Sequence, residues 1–249
     1  MLSSVIITKN EEKNIERCIK SLKFCDEIIV IDDYSIDKTV SLANKLGAKV
    51  FQNRLDDDFS KQRNFGLKVA NREWVLFIDA DEVVGSELAG EIIKVTSDPT
   101  IKNDGYYLRR QDTLWNKKLN FGENGNTKLL RLGKKNNGIW KRKVHEFWEI
   151  KGSKALLRNP LSHYPHSDLS EFINSIEQFS SLHAEANFLE KKRSNIFKIV
   201  FWPPLKFFNN YFLCGGFLDG VEGFVSAMLM SMHSYLAWSK LWILKKKIK

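Results

Sequence analysis

Cysteines and glycine-rich phosphate loops are scarce in this chain. Its 249 residues include three cysteines and no Cys-x-x-Cys pair, which excludes a disulfide framework and favours a reducing compartment. Neither a GxGxxG fingerprint nor a GxxxxGK[ST] loop follows the first predicted strand. A nucleotide bound here would therefore be held by side chains and a metal ion instead of a glycine-rich backbone loop.

Long apolar runs are missing as well. The segment 1–8 has neither the basic opening nor the apolar stretch of a secretory signal, so we expect the chain to stay in the cytoplasm. Residues 195–249 are dense in Phe, Trp, Leu and Met, but charged residues, prolines and asparagines interrupt every stretch before about 20 apolar residues accumulate. The sequence thus predicts no transmembrane helix.

The overall charge is strongly basic. A net charge of +9 and a pI near 9.3 predict anionic partners such as nucleotide phosphates or acidic lipids. No zinc-finger or aromatic RNA-binding signature is present, so we do not expect nucleic acid as a partner. With 43% hydrophobic residues, the chain is long enough to form one catalytic domain with an appendage.

Short apolar strands alternate with amphipathic helices through the first 97 residues, which predicts a mostly parallel sheet with right-handed crossovers. Three predicted strands end in polar groups: Thr8-Lys9-Asn10-Glu11, Asp32-Asp33 and Asp79-Ala80-Asp81. The carboxyl ends of parallel strands meet at one edge of the sheet, where open α/β sheets bind ligands. We therefore expect these groups to share one site.

The stretch Trp74 to Glu82 is the centre of this pattern, because a fully apolar strand ends in three carboxylates. Asp79 and Asp81 are two residues apart in an extended segment, so both side chains project to one side. Their oxygens suit a hard divalent cation that would neutralise a diphosphate. The alternative is that these carboxylates only end the strand and begin the turn before a helix at about Ser86.

After that helix the pattern becomes less regular, with predicted strands at 106–115, 128–132 and 144–150 separated by Gly and Asn clusters. These strands predict a mixed or antiparallel extension of the sheet. We place the first domain at 1–165, with a boundary between two halves after residue 97. Residues 166–249 form a C-terminal helical region that begins with a long helix capped by Ser167 or Asp168.

Two interpretations of the C-terminal region remain open. It packs as a helical cap on the catalytic domain or a second subunit, or it lies in a membrane interface with its aromatic residues inserted. The residues in question are Trp202, Phe207, Phe208, Trp238 and Trp242. The basic terminus, residues 245–249, favours an anionic membrane surface, although a solvated basic terminus is the simpler alternative.

An ordered set of motifs runs through the first third of the chain. The motifs are Ser4-Val5-Ile6-Ile7-Thr8 with Asn10-Glu11, then 30–39, then Gln62-Arg63-Asn64-Phe65-Gly66, and then Phe77-Ile78-Asp79-Ala80-Asp81-Glu82. In this order and spacing the chain resembles family 2 glycosyltransferases of the GT-A type over residues 2–164. The resemblance implies an α/β fold with a mixed, mostly parallel sheet sandwiched by helices, followed by a C-terminal helical extension. It also implies that 1–165 is the catalytic domain, with a nucleotide-sugar-binding half at 1–97 and an acceptor half at 98–165.

Within that family the chain is most similar to the lipopolysaccharide-core glucosyltransferase type. The similarity lies in Val144-His145-Glu146, Gly152, Leu161-Ser162-His163-Tyr164 and Phe217-Leu218-Asp219-Gly220. The chain departs from the family in having Tyr34 where glycine is frequent, and in the spacer 116–126. These departures leave the sugar and the acceptor open.

The resemblance also implies roles for individual residues. The nucleotide-binding set is Thr8, Asn10, Glu11, Asp32, Asp33, Arg63 and Asp79, with Asp33 accepting from the uracil ring of a UDP-sugar. Asp81 is the first metal ligand, and Asp79 holds the ion through water or contacts the ribose. Glu146 is the catalytic base, His145 steers the acceptor or assists the metal site, and His163 is a ligand or a phosphate contact.

Several of these side chains also have a purely structural alternative. Arg63 alone reads as a surface residue on a helix, His145 and Glu146 as an ordinary pair at a strand edge, and His163 as a loop residue. His183 lies on the apolar face of a predicted helix, where a core role is expected. The oligomeric state is left open by the sequence.

The sequence therefore predicts an inverting glycosyltransferase that depends on Mg²⁺ or Mn²⁺. It would move a sugar from a nucleotide donor, UDP-linked by the resemblance, to a lipopolysaccharide-core or other lipid-linked acceptor. We expect it on the cytoplasmic face of the inner membrane as a peripheral protein. The alternatives are a polyprenyl-phosphate sugar synthase and a non-catalytic module that binds nucleotides or nucleic acid.

Overall fold

The computed structural model describes residues 1–125 and 127–247. The chain forms two compact units, one of residues 1–110 with 128–163 and one of residues 111–127 with 164–249. The segment 111–127, which the sequence analysis assigned to the acceptor half, therefore belongs with the C-terminal helices. The predicted boundaries at 97 and 165 stay predictions. Asn126 in the spacer and Ile248 and Lys249 in the basic terminus lie outside the described residues.

Strands alternate with helices up to residue 97, as predicted, and short strands predominate from residue 105 to residue 163. The elements are β1 Leu2–Thr8, α1 Ile15–Ser21, β2 Glu27–Asp32, α2 Thr39–Lys45, β3 Lys49–Gln52, α3 Phe59–Val69, β4 Trp74–Asp79, β5 Glu82–Val83, α4 Ser86–Ser97, β6 Gly105–Leu114, β7 Lys117–Lys118, β8 Lys128–Lys134, β9 Gly138–Lys141, β10 Phe147–Ile150, β11 Lys154–Leu156 and β12 Leu161–His163. A short 3₁₀ turn, Lys135–Asn137, joins β8 to β9.

The main sheet has the strand order β3-β2-β1-β4-β8-β6-β12-β5. The first four strands are parallel, and β8 runs antiparallel to both β4 and β6. β9 and β10 form a separate antiparallel pair. The predicted fold class is confirmed: this is a mixed sheet, parallel over β3, β2, β1 and β4, between layers of helix and followed by a helical C-terminal region.

Alternate residues of the central strand β4 enter two different apolar cores. Trp74, Leu76 and Ile78 pack on one face with α1 and α4, whereas Val75 and Phe77 pack on the other face with Leu67 of α3 and with the β9–β10 pair. Because both faces are covered, the strand is apolar throughout. The predicted strand, buried on both sides, is therefore confirmed.

The β9–β10 pair was only partly foreseen. Trp140 and Trp148 stack on each other with ring centroids 5.5 Å apart, and Phe77 meets both rings edge-on. The strand predicted for 144–150 begins only at Phe147. His145 has a φ of +54°, and this left-handed backbone conformation is incompatible with an extended strand. The segment Val144 to Glu146 is therefore a loop.

Glu27 joins several elements at the end of the sheet opposite the carboxylates. Its side chain is almost fully buried and accepts hydrogen bonds from Ser3 Oγ at 2.7 Å, Lys49 Nζ at 2.8 Å and Asn71 N at 3.0 Å. Burial by itself would raise the pKa of Glu27, but the hydrogen bonds from Lys49 and Asn71 lower it from an ordinary 4.5 to about 2. The ionised carboxylate therefore stabilises the fold.

We expect Glu27→Gln to lower the free energy of unfolding at pH 7 by about 3 kcal/mol, the value that corresponds to this pKa shift. Since the folded pKa is depressed, this stabilisation is present above pH 4.5 and is lost as the pH falls towards 2. Urea unfolding of both proteins across that range should show the difference shrinking. Glu16→Gln, which breaks an exposed pair with Lys20, should show no comparable change. A pH-independent difference for Glu27→Gln would contradict the prediction.

The second unit is mainly helical. It contains α5 Leu169–Leu189, α6 Ile196–Phe208, a π-helical turn Asn209–Leu213, a 3₁₀ turn Gly216–Asp219 and α7 Gly220–Lys246. Asp168 caps α5 by accepting from Glu171 N, as predicted. Leu114 and Leu119 pack with Phe172 of α5 and Leu229 of α7, and the Asp219 carboxylate accepts from the backbone N–H groups of Asn120 and Phe121. These contacts explain why 111–127 groups with the helices.

The apolar C-terminal segments are interrupted in the structure as they are in the sequence. Within the described residues, no single helix combines the length and the apolar composition that crossing a membrane requires. The segments Ile196–Leu213 and Gly216–Lys246 satisfy those criteria only when taken together, as a pair bent by 69°.

Candidate functional site

The carboxyl ends of β1, β2 and β4 lie side by side. Thr8 is in register with Asp32 across β1 and β2, and Ile7 is in register with Asp79 across β1 and β4. Neighbouring strands in a sheet are about 4.8 Å apart, so the polar groups that follow these strands share one edge. The first unit therefore brings together the three strand ends that the sequence analysis singled out.

Asp33 is buried and fixed at one side of this edge. Its Oδ2 lies 2.7 Å from Lys9 Nζ, its Oδ1 accepts from Leu55 N at 3.0 Å, and its own N–H donates to Thr8 O at 2.9 Å. Beside it, two buried oxygens have no hydrogen-bond partner within the described part of the chain, namely Thr8 Oγ1 and Asp32 Oδ1. A buried polar atom without a partner is costly, which is consistent with a polar ligand at this place.

The loops after β1 and β2 hold each other in place. Asn10 N donates to Ser35 Oγ at 2.8 Å, Ile36 N donates to Asn10 Oδ1 at 2.9 Å, and Glu11 N donates to Thr39 Oγ1 at 2.7 Å. Asn10 and Glu11 thus build the loop, and their predicted contact with a nucleotide stays a prediction. Tyr34 adopts a φ of +52°, a conformation that glycine reaches without strain, where the family frequently has glycine.

Asp79 is held by two buried arginines. Arg63 Nη2 donates to Asp79 Oδ1 at 2.9 Å and Arg63 Nε donates to Glu146 Oε1 at 2.8 Å, while Arg131 Nη2 donates to Asp79 Oδ2. Arg63 also lies over the Trp140 ring, with Cζ 4.8 Å from the centroid. The surface alternative for Arg63 is therefore wrong, because α3 turns this side chain into the interior. The predicted residues Arg63, Asp79 and Glu146 form one network.

Arg131 was missed by the sequence analysis. It lies on β8, is 5% exposed, and approaches both Asp79 and Glu82. A signal was available, since a single arginine stands inside the apolar run Leu129 to Leu132. A charged side chain in a buried strand requires a buried partner of opposite charge, and the carboxylates after β4 were already the leading candidates.

The pKa values of the Asp79 and Glu82 carboxyl groups are shifted in opposite directions. Burial alone would raise the pKa of the Asp79 carboxyl, but the Arg131 and Arg63 guanidinium groups hold it well below its usual range. Burial raises the pKa of Glu82, and Arg131 only partly opposes this rise. Glu82 Oε2 accepts from Asp79 N at 2.8 Å, so Glu82 closes the turn that presents Asp79 and Asp81.

Replacing Arg131 with methionine should destabilise the first unit by about 3 kcal/mol, because it leaves the Asp79 carboxylate without one of its two cations. Urea unfolding at pH 7 measures the loss. The exposed Arg158 provides the matched control, since Arg158→Met removes the same charge without uncovering a buried carboxylate. Equal stability of the two variants would show that the Arg131–Asp79 pair contributes nothing.

Asp81 and His163 form a second pair at this edge. His163 lies on β12, opposite Glu82 of β5, and its Nε2 is 3.2 Å from Asp81 Oδ2. Two ligand atoms on adjacent positions of an octahedral ion, each about 2.1 Å from it, are about 3 Å apart. The spacing and the chemistry of this pair therefore fit two neighbouring positions around Mg²⁺ or Mn²⁺. No cluster of three or more His, Cys, Asp or Glu side chains suited to a metal occurs among residues 1–125 and 127–247.

The other predicted catalytic groups lie in the loop between β9 and β10. Glu146 is bound to Arg63 and its side chain is 15% exposed. His145, next to it, is exposed and has a left-handed backbone. The strand-edge alternative for this pair is wrong, since neither residue belongs to a strand. The first unit thus places Glu146 in the network of Asp79, and the role of His145 stays a prediction.

Comparison with known proteins identifies the family. The model of glycosyl transferase family 2 matches residues 3–150, more than half of the chain. The lipopolysaccharide core biosynthesis glycosyltransferase LpsC of Rhizobium meliloti is 29% identical over 97% of this chain and 92% of its own length. An uncharacterized glycosyltransferase of Rickettsia bellii is 30% identical over 96% of this chain and 85% of its own length.

Solved structures show weaker overall similarity. S. aureus TarS 1-349 in complex with UDP-GlcNAc has a TM-score of 0.47 and 14% identity, covering 100% of this chain and 92% of that one. Glucosyl-3-phosphoglycerate synthase from Mycobacterium tuberculosis, in complex with Mn²⁺, UDP and glucosyl-3-phosphoglycerate, has a TM-score of 0.37 and 24% identity over 44% of each chain. On the evidence of the family model and the full-length relatives, the chain belongs to glycosyl transferase family 2 and is a glycosyltransferase.

Proposed function

We propose that this glycosyltransferase moves a sugar from a UDP-linked donor to a hydroxyl group of a lipopolysaccharide-core or other lipid-linked glycan, with inversion of the anomeric configuration and with Mg²⁺ or Mn²⁺ bound. The observation that carries the proposal is the convergence of Asp33, Asp79, Asp81 and Glu146 in the first unit. Asp33 follows β2, Asp79 and Asp81 lie at the end of β4, and Glu146 lies in the loop between β9 and β10. Each of them is positioned by a specific partner.

The Asp33 side of the edge is suited to the nucleoside. A carboxylate held by Lys9 and by a backbone N–H is a rigid acceptor for an N–H of the uracil ring. Thr8 Oγ1 and Asp32 Oδ1, which have no hydrogen-bond partner among the described residues, belong to residues in register at the ends of β1 and β2. Burial of these groups favours a ligand with several polar atoms, as a base and a ribose provide.

The Asp81 side is suited to the diphosphate. Asp81 and His163 would hold the cation, which supplies Lewis-acid stabilisation of the departing nucleoside diphosphate when bound. Arg63 and Arg131 keep Asp79 ionised and fix the turn that carries Asp81. The proposal therefore assigns Asp79 to positioning and to ribose contact more than to direct ligation.

Glu146 is the proposed base for the acceptor hydroxyl. Arg63 Nε fixes its Oε1, which orients the carboxylate on a loop beside the Asp79 network. Removing the hydroxyl proton while the oxygen attacks the sugar carbon from the face opposite the diphosphate gives inversion in one step. The carboxylate then carries the proton to solvent, which the partly exposed side chain permits.

The acceptor class is inferred from the relative. LpsC is named for lipopolysaccharide core biosynthesis, and the likeness covers nearly all of both chains. We extend that acceptor class to this chain and place the reaction at the cytoplasmic face of the inner membrane, where nucleotide sugars and lipid-linked glycans meet.

A screen of nucleotide sugars tests the reaction. Purified protein with Mn²⁺ should release UDP from at least one UDP-sugar, faster when a lipopolysaccharide-core acceptor is added, and a chelator should stop the release. Release from GDP- or CMP-sugars alone would refute the donor assignment. Turnover that persists in the chelator would refute the metal dependence.

A further inference from the structure

Helix α7 distributes its residues by size in an unusual way. Six of its buried residues are Gly, Ser or Ala, and two are Leu. Seven of its larger apolar or aromatic residues are instead exposed to solvent: Val221, Phe224, Met228, Met232, Tyr235, Trp242 and Ile243. In a water-soluble helical bundle the large apolar residues face the core. Here the small residues form the packed side.

Helix α6 shows the same arrangement more strongly. Of its residues only Pro203 is buried, whereas Phe197 is 68% exposed, Phe201 55% and Leu205 58%. These three residues are four apart, so they form one stripe along the helix. We call this stripe, together with the exposed apolar residues of α7, the α6–α7 surface.

Small residues allow the two helices to approach closely. Ser231 Oγ of α7 donates to the backbone oxygen of Pro203 in α6 at 2.7 Å. Small residues at the helix contact and large apolar residues pointing outwards are the pattern of helices that contact lipid. Contiguous apolar patches on soluble proteins rarely exceed a few hundred Å² and mark interaction sites when they do.

Charge in the second unit is segregated between its helices. Residues 168–190, which include α5, contain five acidic residues and no Lys or Arg, whereas residues 191–247 contain nine basic and two acidic residues. Basic groups gather at one end of the helix pair, with Lys191, Lys192 and Arg193 before α6 and residues 245–247 at the end of α7, because the start of α6 lies beside Trp238 of α7. Helix α7 packs against both α5 and α6.

Aromatic and basic side chains are also combined on these helices. Lys246 Nζ lies 4.1 Å from the centroid of the Trp242 ring, and Lys198 Nζ lies 4.4 Å from that of Trp238. Tryptophan with a neighbouring lysine suits the boundary between lipid headgroups and acyl chains, because the ring is amphipathic and the ammonium reaches phosphates.

We infer that the α6–α7 surface binds an anionic lipid bilayer, with its aromatic and aliphatic residues inserted in one leaflet and the acidic helix α5 turned away from it. A second copy of the chain is a less suitable occupant, because it carries the same excess of basic residues in 191–247, whereas anionic headgroups would neutralise that charge. The inference depends on the second unit alone and does not require the proposed reaction. It supplies the attachment that a lipid-linked acceptor would need.

Vesicle flotation of the full chain tests this surface. Vesicles of phosphatidylglycerol and phosphatidylcholine should carry the wild-type protein upwards, and binding should weaken at high salt. The triple variant Phe197→Ser, Phe201→Ser and Leu205→Ser should bind about 100-fold more weakly, since three apolar side chains no longer enter the leaflet. All three positions are exposed, so the variant should fold, as circular dichroism can verify.

A matched triple variant in the first unit serves as the control. Ile93, Ile139 and Leu156 are similarly exposed, and their replacement by serine should leave vesicle binding unchanged. Equal binding by wild type and the α6 variant, or no flotation of the wild type, would overturn the inference. The inference would also be overturned if sedimentation without lipid showed that the wild type is a dimer and the α6 variant a monomer. UDP release without vesicles should be the same in both triple variants. The test of membrane binding is therefore independent of the test of the proposed reaction.

Discussion

Asp81→Asn is expected to lower kcat/KM for sugar transfer by about 10³-fold, because the amide loses the charge that a divalent ion needs and metal stabilisation of the leaving group is worth several kcal/mol. The amide keeps the size of the side chain and its hydrogen-bonding capacity toward His163, so the fold should persist. Initial rates of UDP release over a range of Mn²⁺ concentrations measure the effect. Part of the loss should be recovered at high Mn²⁺, since the remaining ligand still binds the ion weakly.

Glu73→Gln is the matched control for this change. Glu73 is exposed and precedes β4, so the substitution removes one negative charge at the opposite end of the strand that leads to Asp79. Activity and metal dependence should stay at wild-type values. If Asp81→Asn retained full activity with unchanged metal dependence, the assignment of Asp81 to the metal would be wrong.

Glu146→Gln is expected to lower kcat with a hydroxyl acceptor by a factor of about 10² to 10⁴, the usual contribution of a general base. Glutamine can still accept from Arg63 Nε through its amide oxygen, so the contact at 2.8 Å is kept while the basic oxygen is lost. The KM for the donor should change little. Single-turnover rates with a saturating acceptor separate the chemical step from binding.

The choice of acceptor in this measurement also distinguishes the proposed reaction from that of a polyprenyl-phosphate sugar synthase. A polyprenyl phosphate is already an anionic nucleophile and needs no base, so the Glu146→Gln enzyme would transfer to it at an undiminished rate if the chain were a polyprenyl-phosphate sugar synthase. Glu149→Gln is the control, because Glu149 is exposed on β10 and pairs only with Lys141 among the contacts described. Wild-type kcat in Glu146→Gln with a hydroxyl acceptor would remove Glu146 from the mechanism.

Much of the first unit could be predicted from local patterns. The run Trp74 to Asp79 is apolar on both faces, and two cores indeed cover it. The alternation of strand and helix then determined that several strand ends would share one edge, because parallel strands connected by right-handed crossovers carry their carboxyl ends to the same side. Asp33, Asp79 and Asp81 were identified in this way.

Contacts between residues that are distant in sequence could not be predicted from local patterns. Arg131 follows Asp79 by 52 residues and lies on an antiparallel strand. The sequence pattern does not indicate which residues of the two strands lie opposite each other. The strand predicted across Val144 to Glu146 was wrong because the left-handed backbone of His145 depends on the loop that brings Glu146 to Arg63.

By itself the sequence determined the apolar strands, the carboxylates that end them and the excess of basic residues, since these follow from composition and from the two-residue period of a strand. Tertiary structure alone decided that two arginines hold Asp79, that His163 meets Asp81, and that the large residues of α6 and α7 face outwards. The physical reason is that ionisation and burial depend on neighbours in space, and the elements that supply those neighbours are set by the packing of the whole chain.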